Sequence, residues 1–218
     1  MVATRFLIAE SCESTRCASS VTTLINFSLT TLARRRRTKA RMIAFCATLL
    51  PLRAVTDAQG GLERLVGHFA RSNGHVELLQ RDPRAVILFL GPHGYISPSW
   101  MHDRTWAPTW NYASAQFMVD IEFFDDTDKL DGLLRELVGA MEHGRPRAWS
   151  PDEMGERYRN LSRHVIGFNA RIRARRARFK LGQDERDAVF RDITIALRQT
   201  GAKDLLRWMK ELNPGRAD

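Results

Sequence analysis

Hydrophobic positions in the first part of the chain follow strand-like patterns. Gln116 to Phe124 alternates apolar and polar residues, which is the period of a half-exposed strand. Ala85 to Leu90 is short and wholly apolar, as a buried strand is. Val21 to Leu32 and Met42 to Leu52 are rich in β-branched and apolar residues, so they predict two strands joined across an arginine-rich turn. Gly61 to Ala70 is predicted as a short helix or turn.

Helical periodicity begins near residue 130. Apolar residues from Leu130 to Met141 recur at i, i+3, i+4, i+7, i+8 and i+11, which makes one apolar stripe. Ser150 begins a second predicted helix, because Ser-Pro-Asp-Glu matches a capping box. The buried side of that helix should include Met154, Tyr158 and Leu161.

The remaining segments complete an α+β pattern. From Phe168 to Arg175, small or apolar residues alternate with basic ones, which predicts a strand with a basic face. Asp184 to Leu212 is predicted to be helical, with a break at Gly201. There is no internal repeat and no clear linker, so we expect an α+β fold with an antiparallel, barrel-like sheet and helices packed outside it.

The positive charge of the chain indicates one class of ligand. The 218 residues carry a formal net charge of +9, and the basic groups concentrate at Arg34 to Arg41 and at Arg171 to Lys180. Such clusters suit phosphates of a nucleic acid or a cofactor, but they are equally typical of a solvated turn or strand face. For the first cluster, which separates two apolar stretches, we favour the solvated turn.

Several classes of protein are not indicated. The apolar run Met42 to Leu52 is too short to cross a bilayer, which takes about 20 residues in a helix. The apolar patch Phe6 to Ala9 is too short for a signal peptide. Cys12, Cys17 and Cys46 form no close pair, so neither a disulfide framework nor a zinc site is expected, and the cytoplasm is the expected compartment.

Candidate chemistry lies between residues 67 and 112. The segment Gly91 to Trp100, GPHGYISPSW, offers aromatic rings, stiffening prolines and glycines. It suits a flat heteroaromatic ligand, or else it is a rigid loop whose tryptophans cover the core. Arg71, flanked by His68 and Asn73, is a fork-shaped donor that suits a phosphate, although surface arginines are common.

Other sites are not signalled. The chain contains no GxGxxG, GxxxxGK[ST], GxSxG or HExxH motif. His93, His102 and Asp103 match no known metal cage in their spacing. No catalytic residue and no metal ligand is predicted.

Together these segments resemble a family. Gly67 to Asn73 (GHFARSN), GPHGYISPSW at 91–100 and Pro108 to Tyr112 (PTWNY) occur in the order found in PaiB-like FMN-binding negative transcriptional regulators. Ile166 to Phe168 and Lys180 to Asp184 (KLGQD) continue the likeness, which covers about residues 27–200. The pieces at 91–100 and 108–112 are the specific part.

The resemblance implies a fold, a cofactor and a set of binding residues. It implies the split barrel of pyridoxamine-phosphate-oxidase-like flavoproteins, as a homodimer with FMN at the subunit interface. Residues 27–200 would form the FMN-binding domain, preceded by a segment of uncertain structure (1–26) and followed by a C-terminal helix and tail (201–218). The residues implied at the cofactor are Thr31, Thr48, His68, Arg71, Asn73, Tyr95, Ser97, Trp110, Lys180 and Gln183.

The chain also departs from the family pattern. Leu49 stands where the family usually has His, and Gly182 and Asp184 stand where it has Ser and Asn. Since Leu49 removes a polar group near the expected flavin, FMN would be bound weakly or lost.

Two classes of function compete. The first is an FMN-binding regulator that lowers transcription, with DNA as a candidate partner through its basic segments. The second is a split-barrel flavin reductase or oxidoreductase, so whether the protein is an enzyme stays open. A flavin-free interaction protein of the same fold is a third alternative.

Overall fold

The fold is built on one seven-stranded sheet. The computed structural model describes residues 27–34 and 43–216, with backbone alone for 27–34 and 43–45. The order across the sheet is β2-β1-β5-β6-β7-β4-β3. The strands are β1 (Phe27–Arg34), β2 (Ile43–Leu50), β3 (Arg53–Thr56), β4 (Leu62–Ala70), β5 (Arg84–Ile96), β6 (Thr109–Phe124) and β7 (Val165–Lys180).

Strand pairing confirms the expected antiparallel sheet. Strands β1 and β2 are antiparallel, with Arg34 opposite Ile43 at one end and Phe27 opposite Leu50 at the other. β1 also pairs with β5, and β4 pairs with β3 and β7, all antiparallel. The arginine-rich turn itself, like positions 21–26 of the first predicted strand, lies outside the described residues.

Five α-helices accompany the sheet in the described part of the chain. The strong apolar stripe at 130–141 lies on α2, where Leu130, Leu133 and Leu137 are buried. Two short 3₁₀ turns lie between these elements, at Pro98–Trp100 and at Pro151–Met154. The helices are α1 (Gly74–Arg81), α2 (Thr127–Glu142), α3 (Glu156–Ser162), α4 (Asp187–Gln199) and α5 (Lys203–Leu212). No described helix is both long enough and apolar enough to cross a membrane.

The chain divides into two compact units, each with its own packing. The first comprises Met1–Phe89 with Gln116–Arg175, and the second comprises Leu90–Ala115 with Arg176–Asp218. In the first unit Val66 packs with leucines of α2. In the second unit α4 and α5 bury a larger cluster that includes Phe190, Ile193, Trp208 and Met209. The predicted boundaries at residues 26 and 200 stay predictions.

The helix or turn predicted for Gly61 to Ala70 is wrong, because this segment is strand β4. Its apolar residues happen to fall at helical spacing, but β3 and β7 supply hydrogen-bonding neighbours on both sides. A Cβ at Gly67 would lie 2.5 Å from Leu52 Cδ2 and 2.9 Å from Phe168 Cζ. Glycine therefore allows close packing here, and the sheet overrides the local pattern.

The segment Gly91 to Trp100 is mostly strand rather than a loop. β5 continues through it to Ile96, and only Pro98–Trp100 forms a turn. Gly91 and Gly94 have no left-handed backbone angle. A Cβ at Gly94 would lie 3.0 Å from Leu205 Cδ2, so this glycine serves close packing rather than an unusual turn.

The C-terminal half follows the sequence more closely. The helical stretch breaks at Gly201, whose φ is +74°, a left-handed angle that favours glycine. Ser150 forms the predicted capping box, but it begins a 3₁₀ turn that Gly155 separates from α3. Leu161, predicted on the buried side, is 47% exposed because α3 is only seven residues long.

Candidate functional site

A polar cluster forms where β2 meets the beginning of α1. The Oγ1 of Thr48 lies 2.8 Å from Nδ1 of His75, and the side-chain amide of Asn73 donates to the same Oγ1 at 3.4 Å. Asn73 is also the N-cap of α1, since its side-chain oxygen accepts from the backbone N–H of His75 at 2.9 Å. The structure thus brings together two predicted site residues, Thr48 and Asn73.

His75 is the member of this cluster that the sequence did not single out. Its side chain is fully buried, and its ring makes an edge contact with Phe69. Burial lowers the pKa of His75, while a hydrogen bond to the backbone of Cys46 opposes that shift. The available signal was Asn73 as a helix cap ahead of the amphipathic segment 74–81, in which His75 falls on the inner face.

Arg71 lies beside this cluster and is exposed. Its Nε donates to the backbone carbonyl of Arg163 at 3.1 Å, while its terminal nitrogen lies 3.9 Å from Asp125. The loop from Arg71 to Gly74, with part of α1 and Ile166, lines a cavity of about 300 Å³. A guanidinium at the mouth of a cavity beside a helix N-terminus favours an anion.

His68 has a different environment on β4. Burial lowers its pKa, and its Nδ1 is buried without a hydrogen-bond partner in the part of the chain that the structure describes. His68 is not among the residues that line the cavity beside Arg71.

The second unit presents three aromatic side chains near one another. Trp110 on β6 stacks on His93 of β5 with ring centres 5.9 Å apart and planes at 24°, and its centre lies 6.3 Å from that of Tyr95. Tyr95 is 49% exposed and Trp110 50% exposed. We call these three side chains the aromatic cluster. It offers a partly open surface on which a flat ring could stack.

Three other predicted residues make local hydrogen bonds in the second unit. The Nζ of Lys180 bonds the hydroxyl of Thr109. The Gln183 side chain accepts from the backbone N–H of Leu181 at 2.7 Å. The Ser97 hydroxyl caps the turn that follows it.

The turn at 181–187 is held by Arg216. Its guanidinium donates to the carbonyls of Gly182, Gln183 and Glu185, and it pairs with Asp187 at 2.8 Å. Within this turn Gly182 has a φ of +81°, where serine would be strained. The backbone of this chain therefore favours glycine at this position.

Thr31 and Leu49 lie on the paired strands β1 and β2. Thr31 is opposite Cys46, but its side chain is outside the described part. Leu49 is 73% exposed and offers no polar group.

A histidine–aspartate pair and the arginines of β7 bear on the predictions about metal and phosphate binding. His102 bonds Asp192 at 2.8 Å through Nδ1, and the described residues include no group of three or more side chains suited to a metal ion. On β7, Arg171, Arg173 and Arg175 are exposed, and Arg173 pairs with Asp120 at 2.6 Å.

The sequence of this chain matches one protein family over most of its length. Residues 9–174 match the family described as "Putative FMN-binding domain". The chain belongs to this family. Its match covers most of the chain, and the resemblance to PaiB-like proteins that the motifs indicate is confirmed.

The chain is also similar in sequence to two curated proteins. The uncharacterized protein YKL070W of Saccharomyces cerevisiae is 32% identical over 118 residues, which cover 52% of this chain and 69% of that protein. Protease synthase and sporulation protein PAI 2 of Bacillus subtilis is 24% identical over 152 residues, which cover 67% of this chain and 72% of that protein.

The chain is also similar, at low identity, to a solved structure. The FAD and heme binding protein from Mycobacterium smegmatis is 15% identical, with a TM-score of 0.49, over 72% of this chain and 66% of that one.

The residues present fit the group that the family name implies. FMN has a phosphate with nearly two negative charges, and the Arg71 loop supplies a guanidinium, a hydroxyl from Ser72 and a cavity. The Nδ1 of His68 is buried without a hydrogen-bond partner among the described residues, but it lies outside the lining of this cavity. The ten binding residues implied by the resemblance stay predictions.

Proposed function

We propose that this chain is a cytoplasmic, homodimeric FMN-binding protein that acts as a negative regulator of transcription. The single observation that carries the FMN proposal is the family match over residues 9–174. The regulatory role and the homodimer come from the resemblance to PaiB-like proteins.

The Arg71 loop is the proposed anchor for the phosphate of FMN. Arg71 is exposed; its Nε bonds the Arg163 carbonyl, and its terminal nitrogen has a 3.9 Å contact with Asp125. A phosphate would compete well with that contact, because a guanidinium binds phosphate through two parallel hydrogen bonds. Asn73 would orient the loop by capping α1.

The aromatic cluster is the proposed contact surface for the flavin ring. Tyr95 and Trp110 are each about half exposed, so they can stack on a planar ligand without unfolding. The proposed FMN contacts also include the other residues that the resemblance implies at the cofactor: Lys180, Ser97, Gln183, Thr31, Thr48 and His68. FMN, when bound, would supply any redox chemistry, and these residues would supply placement.

Visible absorbance tests the FMN proposal. Protein purified without added flavin, and again after incubation with FMN and desalting, should show flavin absorbance and release FMN on heating. A protein that remains colourless in both preparations would overturn this proposal and leave the flavin-free alternative. Light scattering after gel filtration should give the mass of two chains.

The basic face of β7 supports contact with DNA in the proposed regulator. Arg171 and Arg173 project from the same face of the strand, and Arg171 lies opposite Arg64 in the β4–β7 register. Charge alone gives sequence-independent binding. A sequence-specific regulator, by contrast, should keep promoter DNA bound in fluorescence polarisation when nonspecific competitor is in large excess. Complete loss of binding would argue against such a regulator.

The oxidoreductase alternative has its own test. Anaerobic addition of NADH or NADPH to the flavin-loaded protein should leave the flavin oxidised if the protein is only a regulator. Rapid bleaching would favour a reductase.

A further inference from the structure

The lining of the cavity beside Arg71 combines two kinds of side chain. Arg71 and Ser72, on the loop before α1, offer hydrogen-bond donors, and the N-terminus of α1 adds a partial positive charge. Glu77 and Gln80 line the same cavity from α1, three residues apart and therefore on one face of the helix. A cation that suits a phosphate thus shares the cavity with a carboxylate that repels one.

The carboxylate of Glu77 is held by Arg81. The two side chains form an ion pair at positions i and i+4 of α1, in which Arg81 donates to Oε1 of Glu77. Among the described residues, the other oxygen, Oε2, has no hydrogen-bond donor. A carboxylate at neutral pH accepts hydrogen bonds but donates none, so Oε2 suits an O–H group of a ligand.

We infer that Glu77 is a specificity-determining residue, which makes this cavity prefer a phosphate ester that carries hydroxyl groups to one that carries none. In a hydroxylated ester the phosphate binds Arg71 and a neighbouring hydroxyl donates to Glu77. A plain alkyl phosphate meets the same repulsion from the carboxylate but has no hydroxyl to offset it. Specificity is a difference between two affinities, so the repulsion and the hydrogen bond act in the same direction.

The rest of the lining fits a short carbon chain with hydroxyl groups. Val76 and Ile166 are buried and supply apolar contact for the chain. Gln80 is exposed, and its amide can both donate to and accept from a second hydroxyl. A volume of about 300 Å³ is at the lower end of the range for small-ligand sites, so it suits a phosphate with a short polyol chain rather than an entire flavin.

The inference deepens the proposed function, on which its link to FMN rests. The ribityl chain of FMN carries hydroxyl groups next to its phosphate, so this part of the cofactor would occupy the cavity. The preference for hydroxylated esters is a property of the cavity alone and does not require that FMN binds.

Two small phosphates test the preference directly. Glycerol 3-phosphate and propyl phosphate have three carbons and the same phosphate group, but only the first has hydroxyl groups. In ³¹P NMR titrations at pH 7.5 and constant ionic strength, wild-type protein should bind glycerol 3-phosphate about threefold or more tightly than propyl phosphate. Equal affinities, or no binding of either probe, would overturn the inference.

Variants of Glu77 should change the two affinities in opposite directions. Glu77→Ala should weaken binding of glycerol 3-phosphate, because an acceptor is lost, and should strengthen binding of propyl phosphate, because a negative charge is lost. Glu77→Gln keeps an acceptor oxygen and should retain more affinity for glycerol 3-phosphate than Glu77→Ala. A preference that is unchanged in Glu77→Ala would show that Glu77 does not determine it.

The matched control is Glu211→Ala, which removes an exposed glutamate that also pairs with an arginine at i and i+4, on α5. It should leave the preference between the two probes at the wild-type value. Equal effects of both alanine variants would mean that the probes sense only net charge. Circular dichroism of each variant shows whether it is folded.

FMN titration separates this inference from the proposed function. Glu77→Ala should weaken FMN binding by about threefold or more, whereas Glu211→Ala should not. Wild-type protein that fails to bind FMN overturns the proposed function, while the two small phosphates still decide the preference of the cavity. If FMN binds and Glu77→Ala binds it as tightly as wild type, the placement of the ribityl chain beside Glu77 is wrong.

Discussion

At the scale of single residues, the candidate site depends on which polar atoms are already engaged. Asn73 and His75 contact Thr48, whereas Arg71 is exposed, with one backbone hydrogen bond and a 3.9 Å contact with Asp125. Exposed contacts of this kind contribute little to folding, so removing the Arg71 side chain should cost anion binding more than stability.

Replacing Arg71 should therefore separate binding from stability. Arg71→Ala should weaken FMN affinity by about tenfold or more, because a charge-assisted contact with phosphate is lost. Its apo melting temperature should stay close to that of wild type. Isothermal titration calorimetry measures the FMN affinity, and differential scanning calorimetry measures the melting temperature of the apo protein.

The matched control for Arg71 is Arg147→Ala, which removes an exposed arginine that does not line the cavity beside Arg71. It should leave FMN affinity unchanged. Equal weakening by both variants would mean that only net charge matters, and a large fall in apo stability of Arg71→Ala would show that Arg71 serves the fold.

The two buried histidines should make stability depend on pH. Burial lowers the pKa of both His68 and His75 below the ordinary 6.5. The unfolded chain therefore binds more protons than the folded one between 6.5 and the lowered values, so stability is full above 6.5 and is lost as the pH falls through that range.

Urea unfolding at pH 7.5, 6.5 and 5.5 measures this loss. His68→Gln should flatten the dependence on pH, since glutamine does not titrate. The exposed-histidine variant His143→Gln should keep the wild-type slope. A slope unchanged in His68→Gln would show that this residue is as easily protonated when folded as when unfolded.

At the scale of secondary structure, glycines decide how closely the strands and side chains pack. Gly67 and Gly167 lie on the neighbouring strands β4 and β7, and a Cβ at Gly167 would fall inside contact distance of the Phe124 ring. Gly132 in α2 has nothing within 4 Å of an added Cβ. The same substitution should thus have opposite effects at these sites.

Gly67→Ala should destabilise the protein by about 1–3 kcal/mol through overpacking against Leu52 and Phe168. Gly132→Ala should stabilise it by about 0.5–1 kcal/mol, because alanine restricts the unfolded chain and favours the helix. Denaturant unfolding measures both. Destabilisation by Gly132→Ala would contradict the finding that an added Cβ at Gly132 has free space around it.

Sequence reasoning succeeded where the local pattern and tertiary packing agree. The stripe of α2, the alternation of Gln116 to Phe124 and the break at Gly201 are confirmed. It failed at β4, where sheet neighbours decided the structure, and it missed α1, whose eight residues give a weak pattern. His75 was missed together with α1, on which it lies, and its contact with Thr48 joins residues 27 positions apart.

At the scale of the whole molecule, the positive charge is the main property that a partner would sense. The net charge is +9, and the β7 arginines Arg171, Arg173 and Arg175 are exposed together on one strand. Because Arg173 already pairs with Asp120, it should contribute less to binding of an external anion.

Binding of duplex DNA should weaken as salt rises, and the β7 arginines should account for part of that dependence. Replacing all three by Ala should reduce the slope of log affinity against log salt by about 0.9 for each of them that contacts a phosphate. Fluorescence polarisation between 50 and 200 mM salt, about the range over which such contacts are lost, measures the slope.

The control removes the same charge elsewhere, at Arg147, Arg157 and Arg159, which are also exposed. It should lower the slope less than the β7 variant. An equal change in both would show that the DNA senses the overall charge rather than the face of β7.

The guanidinium of Arg216 bonds three carbonyls of the turn that carries Gln183, so a residue more than 30 positions later is a structural part of that turn. An Arg216→Ala substitution would leave those carbonyls to water and the Asp187 carboxylate without this cation. It would then loosen the turn, and amide exchange there would speed up while the α2 region stayed protected.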